Sequence, residues 1–66
     1  MFKLWARNIK TCRYEFIKTI AYDNRFYEID QLDSTTYYEA MVIDENNNCV
    51  FYVELDRPLI KRLKRG

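Results

Sequence analysis

Two segments rich in β-branched and aromatic residues, Tyr37 to Asp44 and Cys49 to Leu55, flank the run Glu45-Asn46-Asn47-Asn48. No other feature constrains the fold as much. β-Branched and aromatic side chains suit a pleated, half-buried surface. Asparagine accepts the positive φ of hairpin turns better than any residue except glycine. The pair therefore reads as an antiparallel hairpin with two candidate registers. A two- or four-residue loop sets Val42 opposite Phe51, Ala40 opposite Val53 and Glu39 opposite Glu54. A three-residue loop sets Ile43 opposite Phe51, Met41 opposite Val53 and Glu54 opposite Ala40. Like charges directly across a ladder are destabilising, so the three-residue loop is the expectation.

The N-terminal third also alternates with a period of two. Phe2, Leu4 and Ala6 fall on one face, and Lys3, Trp5 and Arg7 on the other. From Arg13 to Tyr22 the pattern continues, with Tyr14, Phe16, Ile20 and Tyr22 on one side, interrupted by Lys18, and Ile17 and Ala21 opposite. A turn in Asn8-Ile9-Lys10-Thr11 joins the two runs as a first hairpin. Its chemistry is weak, since only Asn8 tolerates a left-handed conformation well. Tyr22-Asp23-Asn24-Arg25 reads as a turn, and Asp33-Ser34-Thr35-Thr36 as a loop. Between them Phe26, Ile29 and Leu32 recur every three residues, as on a helix that Asn24 could cap. Read as a strand, the same segment turns Tyr27 and Ile29 inward and Glu28 and Asp30 outward. A short strand is the expectation. In the tail, Asp56 can cap a helix and Pro58 suits its first turn. Leu59, Ile60 and Leu63 then make a narrow apolar stripe among cations.

A chain of 66 residues forms one small domain, and domains near this size bury only about 60% of the surface their unfolded chains expose. Six Tyr, four Phe and one Trp offset that limit, because each aromatic ring can bury ~150–250 Å². Cys12 and Cys49 are the only cysteines. The segment Met1–Arg7 is broken by charge, unlike a secretory signal, so a cytoplasmic location and free thiols are expected. Both are read as buried structural thiols. With no run of ~18 apolar residues, no membrane-spanning helix is expected.

The sequence contains no histidine and its single glycine is Gly66. The commonest general base and metal ligand are thus missing, as are glycine-rich phosphate loops. The acidic pairs Glu28/Asp30 and Asp44/Glu45 read as charges on exposed strand surface. No catalytic, cofactor-binding or metal-binding residues are therefore assigned, no cofactor is expected, and the chain is read as a non-enzyme. A net charge of +1 conceals a segregation. Residues 1–20 carry Lys3, Arg7, Lys10, Arg13 and Lys18 against Glu15. Residues 21–56 carry nine acids against Arg25, and residues 57–66 carry five cations and no acid. Either the basic ends fold over the acidic middle and neutralise it, or they converge into a basic face for phosphate or an acidic protein.

These features imply a mainly β single domain over residues 1–66. It is one small antiparallel sheet of four to five strands, built from two hairpins within 1–55, with a short basic amphipathic helix over 57–65. So little chain cannot cover both faces. Either the helix caps the sheet, the sheet curls into a barrel, or two copies pair as a homodimer. The function expected is that of a protein-interaction module of the accessory or inhibitor type. On the enrichment of Trp, Tyr and Arg at interface hot spots, the contact candidates are Trp5, Arg7, Tyr37, Tyr38, Tyr52, Arg62 and Arg65. The alternative is a nucleic-acid binder that sets Lys3, Arg7, Lys61, Arg62, Lys64 and Arg65 on phosphates while Trp5 stacks on a base. No family is recognisable from these residues.

Overall fold

A computed structural model describes residues 1–55; the expected helix over 57–65 lies outside them. The chain forms β1 (Phe2–Asn8), β2 (Tyr14–Ile20), a 3-10 turn (Tyr22–Asn24), α1 (Arg25–Asp30), β3 (Tyr37–Ile43) and β4 (Cys49–Glu54). The four strands make one antiparallel sheet in the order β2-β1-β3-β4. It is open, with β2 and β4 as its edges, and does not close into a barrel.

This order explains why residues 25–30 are helical and not a strand. β2 and β3 both run antiparallel to β1, on its two sides, so they are parallel to each other. Parallel strands need a crossover of about a dozen residues or more, usually helical. The chain leaves β2 at Ile20, beside Phe2, and enters β3 at Tyr37, beside Asn8. It must therefore return along the length of the sheet across one face, where a strand would have no partner. The three-residue recurrence then puts Ile29 in the core and Leu32 against it. Asn24 lies at the helix start but makes no side-chain cap. Arg25 anchors that end instead. Its guanidinium lies 3.9 Å from the Tyr22 ring centroid, 4.7 Å from Phe26 and 5.2 Å from Phe51. Lys18 Nζ, 3.0 Å from Glu28 Oε1, ties the helix to β2.

The core is small: Leu4, Ile20, Ile29, Ala40 and Val42, with Phe2, Ile17, Tyr22, Leu32, Phe51, Val53 and Leu55 packed around it. Phe2, Leu4 and Ala6 share the covered face, as their alternation requires. In β2 the alternation is interrupted. The pairing passes from Leu4↔Lys18 to Trp5↔Phe16, which leaves Ile17 as the extra residue of a bulge. Tyr14 and Phe16 therefore lie on the face of Arg7 and Trp5. Lys18 and Ile20 lie on that of Leu4 and Phe2, so the expected single side of Tyr14, Phe16 and Ile20 is divided.

The β3–β4 register is also the other candidate: Val42↔Phe51, Ala40↔Val53 and Glu39↔Glu54, with a bulge before Ile43↔Cys49. Asp44 Oδ1 accepts from the backbone N–H groups of Asn46 and Asn48, and Asn47 takes φ 67°. The Glu39–Glu54 juxtaposition is tolerated because three donors, from Arg7, Tyr14 and Tyr52, engage the Glu39 carboxylate. In the first turn Asn8 acts through its side chain, whose Oδ1 accepts from the Lys10 and Thr11 amides. Cys12 takes the left-handed φ of 60°. Both cysteines are exposed thiols and not buried ones. One sits at a turn, and the other opens β4 on the sheet's edge.

Candidate protein-interaction face

The helix packs on one face of the sheet through Ile29; among the described residues no helix or strand lies over the other, where Ile43 is nonetheless only 9% exposed. Cross-strand partners share a face, so the outward face can be read as three rows across β2, β1, β3 and β4. The first is Tyr14–Arg7–Glu39–Glu54, the second Phe16–Trp5–Met41–Tyr52, and the third Thr19–Lys3–Ile43–Cys49. The middle row is apolar or aromatic at every strand. Phe16 is 50% and Tyr52 49% exposed, while Trp5 and Met41 are half-buried. Trp5 and Phe16 meet edge to face at 5.6 Å, a favoured aromatic geometry. The Ile17 bulge aligns this row by bringing Phe16 onto the face of Trp5.

The first row is organised around Glu39, whose side chain is only 14% exposed. Its Oε1 accepts from Arg7 Nη1 at 3.2 Å and from the Tyr14 hydroxyl at 3.1 Å; its Oε2 accepts from the Tyr52 hydroxyl at 2.6 Å. The bond from Tyr52 foremost, followed by those from Tyr14 and Arg7, holds the Glu39 carboxyl below the usual carboxylate range against the opposing effect of burial. Reciprocally, Glu39 pushes the Tyr52 hydroxyl up to about 12. Burial, then the bond to Glu39, raises Tyr14. Arg7 is further fixed by Nε donating to the Cys12 carbonyl at 2.9 Å, and lies 5.6 and 5.7 Å from the Tyr14 and Tyr38 ring centroids. An ionised carboxylate so fully engaged is a poor proton acceptor near neutral pH. Its chemistry here is to lock side chains, leaving the middle row on a rigid support.

The structure gathers Lys3, Trp5, Arg7 and Tyr52 on this face and sets Tyr38 at its border beside Arg7. Tyr37 is directed elsewhere, its hydroxyl donating to Glu15 at 3.0 Å. Lys61, Arg62, Lys64 and Arg65 lie outside the described residues. Phe16, Met41, Tyr14 and Glu39 belong to the face and were not singled out from sequence. For Met41 and Glu39 the signal was available, since strict alternation through β3 groups them. For Tyr14 and Phe16 it was masked by the bulge.

Among the described residues no cluster of three or more Cys, Asp or Glu could hold a metal ion, and no helix is long and apolar enough to cross a membrane. A shallow groove of about 690 Å³ on the covered side, between α1 and β4, is lined by residues that include Phe26, Ile29, Leu32 and Val53. No family model, curated protein or solved structure matches the chain.

The Glu39–Tyr52 bond has a direct spectroscopic test. Tyr52 is expected to titrate near 12, and Glu39→Gln, which removes the negative charge, to bring it back towards the ordinary value of 10. Carbon-13 tyrosine ring shifts followed against pH read this out; a Tyr52 midpoint unmoved by Glu39→Gln would contradict the bond. Raised pKa values favour the protonated native form, so this bond's stabilisation is complete below pH 10 and is lost as pH rises through about 12.

Proposed function

We propose that this chain is a small, non-enzymatic, cytoplasmic protein-interaction module of the accessory or inhibitor type, which binds through the outward face of its sheet. The observation that carries this reading is the row Phe16–Trp5–Met41–Tyr52, apolar across four strands and uncovered among the described residues. Aromatic residues, Met and Arg are the types enriched in interface cores, and here a carboxylate-centred network holds them in place. A contiguous exposed apolar patch with a polar border is the usual mark of a docking surface.

The nucleic-acid alternative draws on Lys3, Trp5 and Arg7, which do share the face. One observation weighs against it: Glu39 and Glu54 balance Lys3 and Arg7 on the same surface. A polyanion would meet a face of no net charge.

Two measurements separate the readings. Titrated into labelled single- and double-stranded oligonucleotides at about 50 and 200 mM salt, the protein is expected to show no binding with the log–log salt slope near −3 to −4 that four phosphate contacts would give. A protein partner that co-purifies with the full chain is expected to be lost in Trp5→Ser and Phe16→Ser, with the circular dichroism spectrum unchanged. Retention of that partner by both folded variants would remove the face from the reading.

A further inference from the structure

We propose that the outward face docks a second copy of this chain, face to face, about a two-fold axis parallel to the strands and running between β1 and β3. The inference rests on the reading of this face as a docking surface and names its occupant. Its basis is the charge pattern. Cations of the face lie on β1 (Lys3 and Arg7), and its acids lie on β3 and β4 (Glu39 and Glu54). Rotation about an axis along the strands lays β1 over the partner's β3 and β2 over the partner's β4. Arg7 then faces the partner's Glu39, and Glu39 the partner's Arg7, in one network of four charges around the axis.

The apolar row is self-complementary under the same operation. Trp5 meets the partner's Met41, a sulfur–aromatic contact, and Phe16 meets the partner's Tyr52. Packed sheets cross at about 30° and lie about 10 Å apart. That angle displaces a residue one row from the centre by only about 3–4 Å, less than the ~4.8 Å strand spacing, so the pairing of rows survives it. The other in-plane axis, perpendicular to the strands, exchanges the first and third rows. It sets Arg7 against the partner's Lys3, like charge on like, whereas the strand-parallel axis sets Lys3 against the partner's Ile43 and Glu54 against the partner's Tyr14 and opposes no like charges. The pattern thus selects one two-fold over the other, as an isologous interface requires.

Charge and size are consistent with this occupant. A face without net charge, on a chain of net charge +1, is better matched to itself than to a strongly charged partner, and low net charge favours association. Four strands ~4.8 Å apart and about seven residues long span roughly 19 by 23 Å, or ~900 Å² for the pair before surface roughness is counted. This is near the lower limit for a specific interface, so a dimer dissociating in the micromolar range is expected.

Sedimentation equilibrium of the full chain from ~5 to ~500 μM should bracket that range. The mass should climb from 8.1 kDa towards double, and Trp5→Ser or Phe16→Ser should weaken dimerisation at least ~10-fold. Arg7→Glu and Glu39→Arg should each lose the dimer alone and recover it as a heterodimer when mixed, because Glu at position 7 then faces Arg at position 39. On dilution of the wild type, amide shifts should change chiefly at Phe16, Trp5, Met41 and Tyr52, a readout that needs no variant to fold. A wild type monomeric throughout, a dimer unaffected in folded Trp5→Ser, or dilution shifts confined to α1 would each overturn the proposal. A monomeric wild type that still loses a different protein partner on Trp5→Ser overturns self-docking alone. Failure of both experiments overturns the docking surface itself.

Discussion

Replacement of Leu4 by alanine is expected to unfold a large fraction of the molecules at 25 °C. Leu4 has no exposed surface. It sits on the central strand β1, between Lys18 and Val42 in the ladder, and packs with Ile20, Ile29, Ala40 and Val42. Truncation of a buried leucine removes about 2–5 kcal/mol, most where the surroundings cannot collapse into the space. Here they cannot collapse far, because Ala40 is already small and the helix is tied down at its start by Arg25 and at Glu28 by Lys18. A domain of this length rarely commands more than about 3–5 kcal/mol in all. Urea unfolding followed by Trp5 fluorescence measures the change. Tyr27→Ala is the control: its side chain is 65% exposed, and a loss within about 0.5 kcal/mol is expected. Similar losses at both positions would show that Leu4 is not the centre of the core.

The same core shows how much of the fold could be read in the residues. Phe2, Leu4 and Ala6 announce the buried face of β1 by alternation alone, and the asparagine turn announces the β3–β4 hairpin. Both depend only on neighbours in sequence. What was illegible depends on contacts distant in sequence. Phe26, Ile29 and Leu32 satisfy a helix, but the decision lies in the strand order, which makes residues 21–36 a crossover. The Glu39–Glu54 repulsion argues for the wrong register until Tyr14 and Arg7, from two other strands, are known to donate to Glu39. Likewise Phe16 joins Trp5 only because Ile17 bulges. Trp5, Arg7 and Tyr52 were selectable by residue type, yet the row that unites them exists only once the sheet is assembled.

Removal of the Glu39 side chain should therefore do more damage than its place on an outward face suggests. Glu39→Ala leaves the Arg7 guanidinium and the Tyr14 and Tyr52 hydroxyls without their shared acceptor. It also removes a link between β2, β1, β3 and β4. Hydrogen bonds to a charged group contribute about 1.5–3 kcal/mol each where buried. Exposure of Arg7 and Tyr52 to solvent weakens their share, so the loss expected is well below the sum of three such bonds, yet larger than the ~0.5 kcal/mol of an ordinary surface substitution. Glu39→Gln keeps an acceptor and should lose about half as much. The pH dependence separates charge from shape. Because its donors hold the Glu39 carboxyl below the ordinary value of 4.5, the unfolded chain takes up the proton first as pH falls. The stabilisation is fully present above that ordinary value and is lost as pH drops through the native one. Wild-type stability should decline below about pH 5, and Glu39→Gln should show a shallower decline. Asp33, lowered chiefly by the Thr35 hydroxyl, and Glu45, lowered by the N-terminal amine, titrate in the same window and supply the slope that remains. Equal slopes for the wild type and Glu39→Gln would mean that the donors seen around Glu39 do not hold its charge in solution. The rigid support assigned to the outward face would then have to come from backbone pairing alone.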